Sequence, residues 1–289
     1  MTRPALLVAG HGSQDAAGAM ELLALTDRVR ALDPGLALAC GFVELSPPSL
    51  TVACADLVAR GAHEIVVTPV MLLAAGHVKD DVPALLVRLR LQHLSVRFRY
   101  ARELGIHPDL LDVVDERLAA AVPAEQRAET AVLLCGRGSS DPDANADLHK
   151  VARLLWEGRP WPLVETCYVG ITDPRLPAGL ERCRQLGARR IVVVPYFLFT
   201  GRLVARIRAQ CAAFAAEHPE LDVRVAGYLG PDERVARLVL ARYAEAQDGD
   251  PRMNCDLCVH RVALPGFEAK VGTPATPHHH PDDHSHEEH

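Results

Sequence analysis

The sequence predicts an α/β protein of two similar units, each a doubly wound parallel sheet, and three observations predict it. Short, continuously apolar runs alternate with helix-length runs through the first half, as in a parallel sheet covered on both faces. The pattern then begins again at a fixed offset of 126 residues, which marks two copies of one unit. Beyond about residue 246 the composition turns to Pro, Gly and His, too little apolar matter to fold alone. The expected division is 1–124, 125–246 and a flexible Cys/His-rich tail, 247–289.

In chain order, strand-like runs cover 5–9, 36–43, 64–70 and 95–101, and helix-like runs cover 16–32, 48–60, 80–91 and 108–121. Pro48, Pro83 and Pro108 lie near helix starts, where a missing N–H costs little. The polar stretch 122–130 marks the boundary between units. After it, Leu133-Leu-Cys-Gly-Arg-Gly-Ser139 repeats Leu7-Val-Ala-Gly-His-Gly-Ser13, and Arg190-Ile-Val-Val-Val-Pro195 repeats Glu64-Ile-Val-Val-Thr-Pro69.

Composition sets bounds on function. At 289 residues there is chain enough for two domains, each with a core of its own. A formal net charge of −6 argues against a general nucleic-acid or anionic-membrane binder. No apolar run approaches membrane-spanning length and no leader pattern opens the chain, so a cytoplasmic location is expected. Six of the eight cysteines, namely Cys40, Cys54, Cys135, Cys167, Cys183 and Cys211, stand singly in apolar segments, the usage of reduced core thiols.

Three side chains that can hold a metal follow consecutive strands: His11 after the first, Glu44 after the second and His77 after the third. With strand order 2-1-3-4 these ends are neighbours, at the sheet edge where ligands of open α/β sheets bind. Two imidazoles and one carboxylate suit a borderline divalent ion such as Co²⁺, Fe²⁺, Ni²⁺ or Zn²⁺ with positions left open. Taken singly, each has a plain structural alternative: His11 a turn residue, Glu44 the cap of the helix near Pro48, His77 the neighbour of the next helix. The second copy replaces them with Arg137, Gly170 and Leu203. Losing the set together fits a single shared role. Arg137, Arg202 and Arg206 would meet carboxylates of a polyanionic ligand lying between the units, or else Arg202, Arg206 and Arg208 form an ordinary solvated helix face.

The motifs Gly10-His11-Gly12-Ser13, Gly41-Phe-Val-Glu-Leu-Ser46 and Ala75-Gly-His-Val-Lys79, in this order and spacing, resemble those of the class II chelatases of tetrapyrrole metabolism, above all the sirohydrochlorin cobalt- and ferrochelatases. The resemblance spans about residues 4–245. It implies two similar units facing a central cleft that holds sirohydrochlorin, and a divalent metal, Co²⁺ or Fe²⁺, as the second substrate. No organic cofactor is implied. The family's histidines match His11 and His77, and its glutamate matches Glu44. The carboxylate-rich substrate is expected to meet arginines and backbone N–H groups, with Gly12, Ser13, Ser46, Arg137, Ser139, Arg202 and Arg206 lining it. Met253-Asn-Cys255-Asp-Leu-Cys258 and six histidines from His278 to His289 match the long form of the cobalt enzyme, in which that motif is associated with an iron–sulfur centre. Two thiolates are half the usual ligand set. A homodimer sharing a cluster, another metal held with His260, a redox-sensitive thiol pair and a metal-buffering tail stay open. The tail favours cobalt and cobalamin synthesis. Ferrochelation for sirohaem and non-enzymatic metal carriage are the rival expectations.

Overall fold

The structure, a computed structural model, describes residues 3–249 together with Ala269 and Val271. In the first half, β1 (Ala5–Gly10), α1 (Ala16–Leu32), β2 (Leu38–Phe42), α2 (Leu50–Ala59), β3 (Glu64–Pro69), α3 (Val82–Gln92) and β4 (Arg97–Tyr100) form a parallel sheet ordered β2-β1-β3-β4. Helix α4 (Pro108–Ala121) and a 3-10 turn (Ala124–Glu129) lead into the second half. There β5 (Thr130–Gly136), α5 (Pro142–Trp156), β6 (Val164–Tyr168), α6 (Leu176–Gln185), β7 (Arg190–Pro195), α7 (Arg202–Glu217) and β8 (Asp222–Val225) repeat the sheet as β6-β5-β7-β8, and α8 (Glu233–Asp248) follows.

The repeat holds residue by residue. Val8 lies beside Cys40 and Thr68 in the first sheet, and Leu134 lies beside Thr166 and Val194 in the second, each 126 positions on. Strand periodicity then sends alternate side chains to opposite faces. Leu7 and Ala9 join α2 and α3 in one outer core, and Leu133 and Cys135 join α6 and α7 in the other. Burial pushes the Cys54 thiol up to about 11 and those of Cys183 and Cys211 to about 12, so they are inert apolar fillers.

The inner faces share a single core. Leu6 and Val8 of β1 and Val132 and Leu134 of β5 belong to one cluster with α1, α4, α5 and α8. The closing helices are exchanged: α8, at the end of the second half, packs on β3, β4 and α1, while α4, from the first half, packs on β7 and α5. An arginine latches each. Arg242 of α8, 3% exposed, donates from Nε to the Glu103 carbonyl at 3.1 Å and from Nη2 to that of Leu104 at 2.6 Å. Arg117 of α4 donates from Nε to the Tyr228 carbonyl at 3.1 Å and from Nη2 to that of Leu229 at 3.0 Å. The Tyr243 hydroxyl reaches back to the carbonyl of Pro4.

Beside the Arg242 latch, Glu103 is fully buried, and neither of its carboxyl oxygens has a hydrogen-bond partner. Burial raises its pKa. A raised folded pKa gives a stabilising contribution that is complete below the unfolded value of 4.5 and is lost as pH rises through the folded one. Glu103→Gln should therefore raise the thermal midpoint at pH 8 and change it little at pH 4.5. Melts across that range check this, and a gain independent of pH contradicts it.

Candidate metal centre

Because β1 is central in the first sheet, the carboxyl ends of β2 and β3 flank its own. The turn after β1 carries His11, the loop after β2 carries Glu44, and the segment after β3 carries His77. Backbone bonds zip the first two together: Val43 N–H donates to the Gly10 carbonyl at 2.8 Å and Glu44 N–H to that of His11 at 3.1 Å. Gly12 makes this approach possible. Its φ is +101°, and a Cβ there would lie 1.8 Å from the Glu44 carbonyl oxygen. Ser13 and Ser46 close the joint, with Ser13 N–H donating to Ser46 Oγ at 3.0 Å and Ser46 Oγ donating to the Ser13 carbonyl at 2.9 Å.

One donor atom from each of His11, Glu44 and His77 lies within 4.8 Å of the others. His11 Nδ1 is 3.6 Å and His77 Nε2 4.0 Å from the same Glu44 Oε1. The two rings meet edge to face with centroids 4.1 Å apart. Donors about 2.1 Å from a shared ion stand at most about 4.2 Å apart. The Glu44 pairs already fit, and a pair at the outer limit would close by roughly half an ångström as the ion enters. Glu44 does not cap the helix near Pro48; Ser49 does, accepting from Val52 N–H at 3.3 Å.

His77 opens a π-helical turn, His77–Asp81, ahead of α3, where the sequence predicts the helix only from about residue 80. Pro83 has no N–H to give to Lys79 in an α-ladder, and the wider turn ends just before it. In this turn Asp81 Oδ2 lies 2.6 Å from His77 Nδ1. A carboxylate there holds the Nδ1 proton and turns Nε2 toward Glu44, the usual support of a metal-binding imidazole. The Lys79 side chain, 3% exposed, reaches the other half, with Nζ 2.7 Å from both Asp141 and Asp143 at the start of α5. Sequence reasoning missed Asp81 and the Lys79 clasp. The spacing His77–Asp81 was a signal for the first, since helical positions i and i+4 share a face.

Of the predicted lining residues, Arg137 stands where the second copy replaces His11. Burial lowers its pKa, and the charge of Glu44 opposes that shift. Arg202 donates to Gln14 Oε1 at 2.6 Å, a tie between halves. Ser139 N–H donates to Asn145 Oδ1 at 3.0 Å, and so is spent within the second half. Arg206 is half-buried on α7. Cys255, Cys258 and His260 lie outside the described residues.

A family model described as CbiX matches residues 5–121 and again 131–246. The chain belongs to the CbiX family. It is 37% identical over 264 residues to sirohydrochlorin cobaltochelatase of Priestia megaterium, covering 90% of this chain and 85% of that one. It is 31% identical over 244 residues to sirohydrochlorin ferrochelatase of Bacillus subtilis (strain 168), covering 84% and 92%. Among solved structures it resembles the sirohydrochlorin chelatase SirB of Bacillus subtilis subspecies spizizenii in complex with cobalt, with TM-score 0.73 and 29% identity over 86% of this chain and 97% of that one. It also resembles SirB from Bacillus subtilis with Fe³⁺, with TM-score 0.75 and 30% identity over 87% and 100%. The class II chelatase family read from the motifs is therefore the family of the chain. Among the described residues, no helix is long and apolar enough to cross a membrane.

Two outcomes follow for the centre. Asp81→Asn should weaken Co²⁺ binding about 10- to 100-fold while the fold is kept, measured by titration without tetrapyrrole. Gly12→Ala should abolish tight binding, because its methyl displaces the Glu44 backbone; a variant that binds as wild type would contradict the close packing described.

Proposed function

We propose that the protein is a sirohydrochlorin chelatase, inserting Co²⁺ in preference to Fe²⁺, in the branch leading to cobalamin. The observation that carries this is the convergence of His11, Glu44 and His77 at one sheet edge in a CbiX-family chain. Insertion consumes M²⁺ and the free macrocycle, and releases two pyrrole protons. Neutral imidazoles suit delivery of the ion, because they replace its water yet yield it to a tetradentate ring. In this reading His11 and His77 hold the incoming ion, and Glu44 orients it or takes a pyrrole proton. The first unit, 1–124, carries the metal, while the second, 125–246, supplies the opposing wall. Arg137, at the position equivalent to His11, and Arg202 and Arg206 of the same half would meet substrate carboxylates. The backbone of Gly12, Ser13, Ser46 and Ser139 shapes the lining around them.

Cobalt is favoured because the relative at 37% identity is named a cobaltochelatase. Iron has support of its own in the ferrochelatase relatives and the Fe³⁺-bound structure. His₂Glu chemistry separates the two metals weakly, since selectivity often follows supply.

Following the macrocycle spectrum anaerobically with either metal tests the assignment. Insertion should be enzyme-dependent and faster with Co²⁺; a faster rate with Fe²⁺ reassigns the protein to sirohaem synthesis. His11→Ala or His77→Ala should each cost more than the roughly 10- to 100-fold typical of an outer partner, with unchanged thermal midpoints. Full activity in both overturns the site.

A further inference from the structure

The loop that carries Glu44 contains a backbone feature that metal binding does not require. Ser46 N–H donates to the Glu44 carbonyl at 2.7 Å, closing a three-residue turn around Leu45, whose φ is +62°. A γ-turn with positive φ is rare and strained. Leucine is a poor occupant, because its Cβ crowds the following carbonyl, and glycine or asparagine would sit there at less cost. The second half repeats the arrangement at the equivalent position. Thr172 N–H donates to the Gly170 carbonyl at 2.7 Å around Ile171, whose φ is +64°. A β-branched residue in this conformation is a stronger outlier still. Both side chains face solvent, Leu45 at 48% and Ile171 at 49% exposed.

The second copy has lost all three metal donors but keeps the strained turn and its bulky aliphatic centre. The turn therefore serves something both halves do. Leu45 directly follows Glu44, and its Cβ is 3.4 Å from where a Gly12 Cβ would stand, beside the metal donors. Ile171 follows Gly170, whose N–H donates to the carbonyl of Arg137, the residue that feels the charge of Glu44. The carboxyl edges that carry the two turns are joined by the Lys79–Asp141 pair at 2.7 Å and the Arg202–Gln14 bond at 2.6 Å, so one aliphatic tip from each half stands at the same junction. The macrocycle has a charged rim and apolar faces, and a ring receiving an ion from Glu44 must bring a face against the residue beside it.

We infer that Leu45 and Ile171 are paired apolar contacts for the faces of the tetrapyrrole, held outward by strained turns, and that they set macrocycle affinity independently of the metal. This rests on the chelatase reading.

The test uses the full chain with Leu45→Asn, Ile171→Asn and Leu45→Met. Asparagine tolerates positive φ and nearly matches leucine in size, while methionine restores an apolar tip. Three quantities are read: the thermal midpoint, Co²⁺ affinity without tetrapyrrole, and the Kd of metal-free sirohydrochlorin from its absorbance. Each asparagine variant should keep or raise the midpoint, leave Co²⁺ binding unchanged and raise the macrocycle Kd about tenfold. Leu45→Met should stay within about twofold of wild type, a difference of a few tenths of a kcal/mol. Wild type that binds the macrocycle, with both asparagine variants within about twofold of it, overturns this inference alone. Wild type that does not bind the macrocycle overturns the chelatase reading and this inference with it. A change in oligomeric state with unchanged Kd assigns the tips to a protein partner and also overturns it.

Discussion

The position of β1 between β2 and β3 is the constraint on which the rest depends. In a parallel sheet all carboxyl ends lie on one edge, so three consecutive strands deliver three loops to one place however far apart they are in sequence. Chain reversal after β1 then has to occur without a side chain in the way, and Gly12 meets that need where the Glu44 carbonyl closes on it. The Ser13–Ser46 bonds fix the two loops as one piece. The metal donors are thus held by backbone geometry, while the third donor, His77, is set from below by Asp81 and from the side by the Lys79 clasp.

The two halves share a scaffold and differ in how they meet. At one junction the start of α5 grips the segment after β3 through the buried Lys79 pairs. At the opposite junction Glu21 of α1 takes the Thr200 N–H at 2.7 Å and the Tyr228 hydroxyl at 2.5 Å. Repeat symmetry would make these junctions alike. The ionic clasp lies on the side bearing His77, where a buried charge left by itself would be costly. The counterpart, a carboxylate held by uncharged donors, lies where α7 runs as an uninterrupted helix and Leu203 replaces the histidine. Asymmetry in chemistry is matched by asymmetry in bracing.

Much of this was legible in the sequence, and the boundary of legibility is physical. The strands, the repeat and the trio His11, Glu44 and His77 follow from local patterns plus one topological rule. The fixed offset of 126 even predicts the register seen between the sheets. Helix exchange leaves no such trace, because an apolar stripe on α4 or α8 reads the same whichever sheet it covers. The partners of Lys79 lie 62 and 64 residues away, beyond any periodicity. The π-helical turn was hidden for another reason: one extra residue in a helical turn changes hydrogen-bond register, not composition. The strained turns at Leu45 and Ile171 run against residue preference, so propensity alone argues against them.

Exchange of the closing helices has a consequence for the way the chain comes into being. The first sheet is complete in outline once β4 has been made, yet its inner face is covered by α8, whose last residue is Asp248. During synthesis β3 and β4 must wait for more than a hundred further residues before the helix that packs on them exists. Contacts as remote as Arg242 to Glu103, 139 positions apart, close late and slow the search for the native state. A nascent first half is thus an aggregation-prone species, and the molecule matures as a whole rather than one unit at a time.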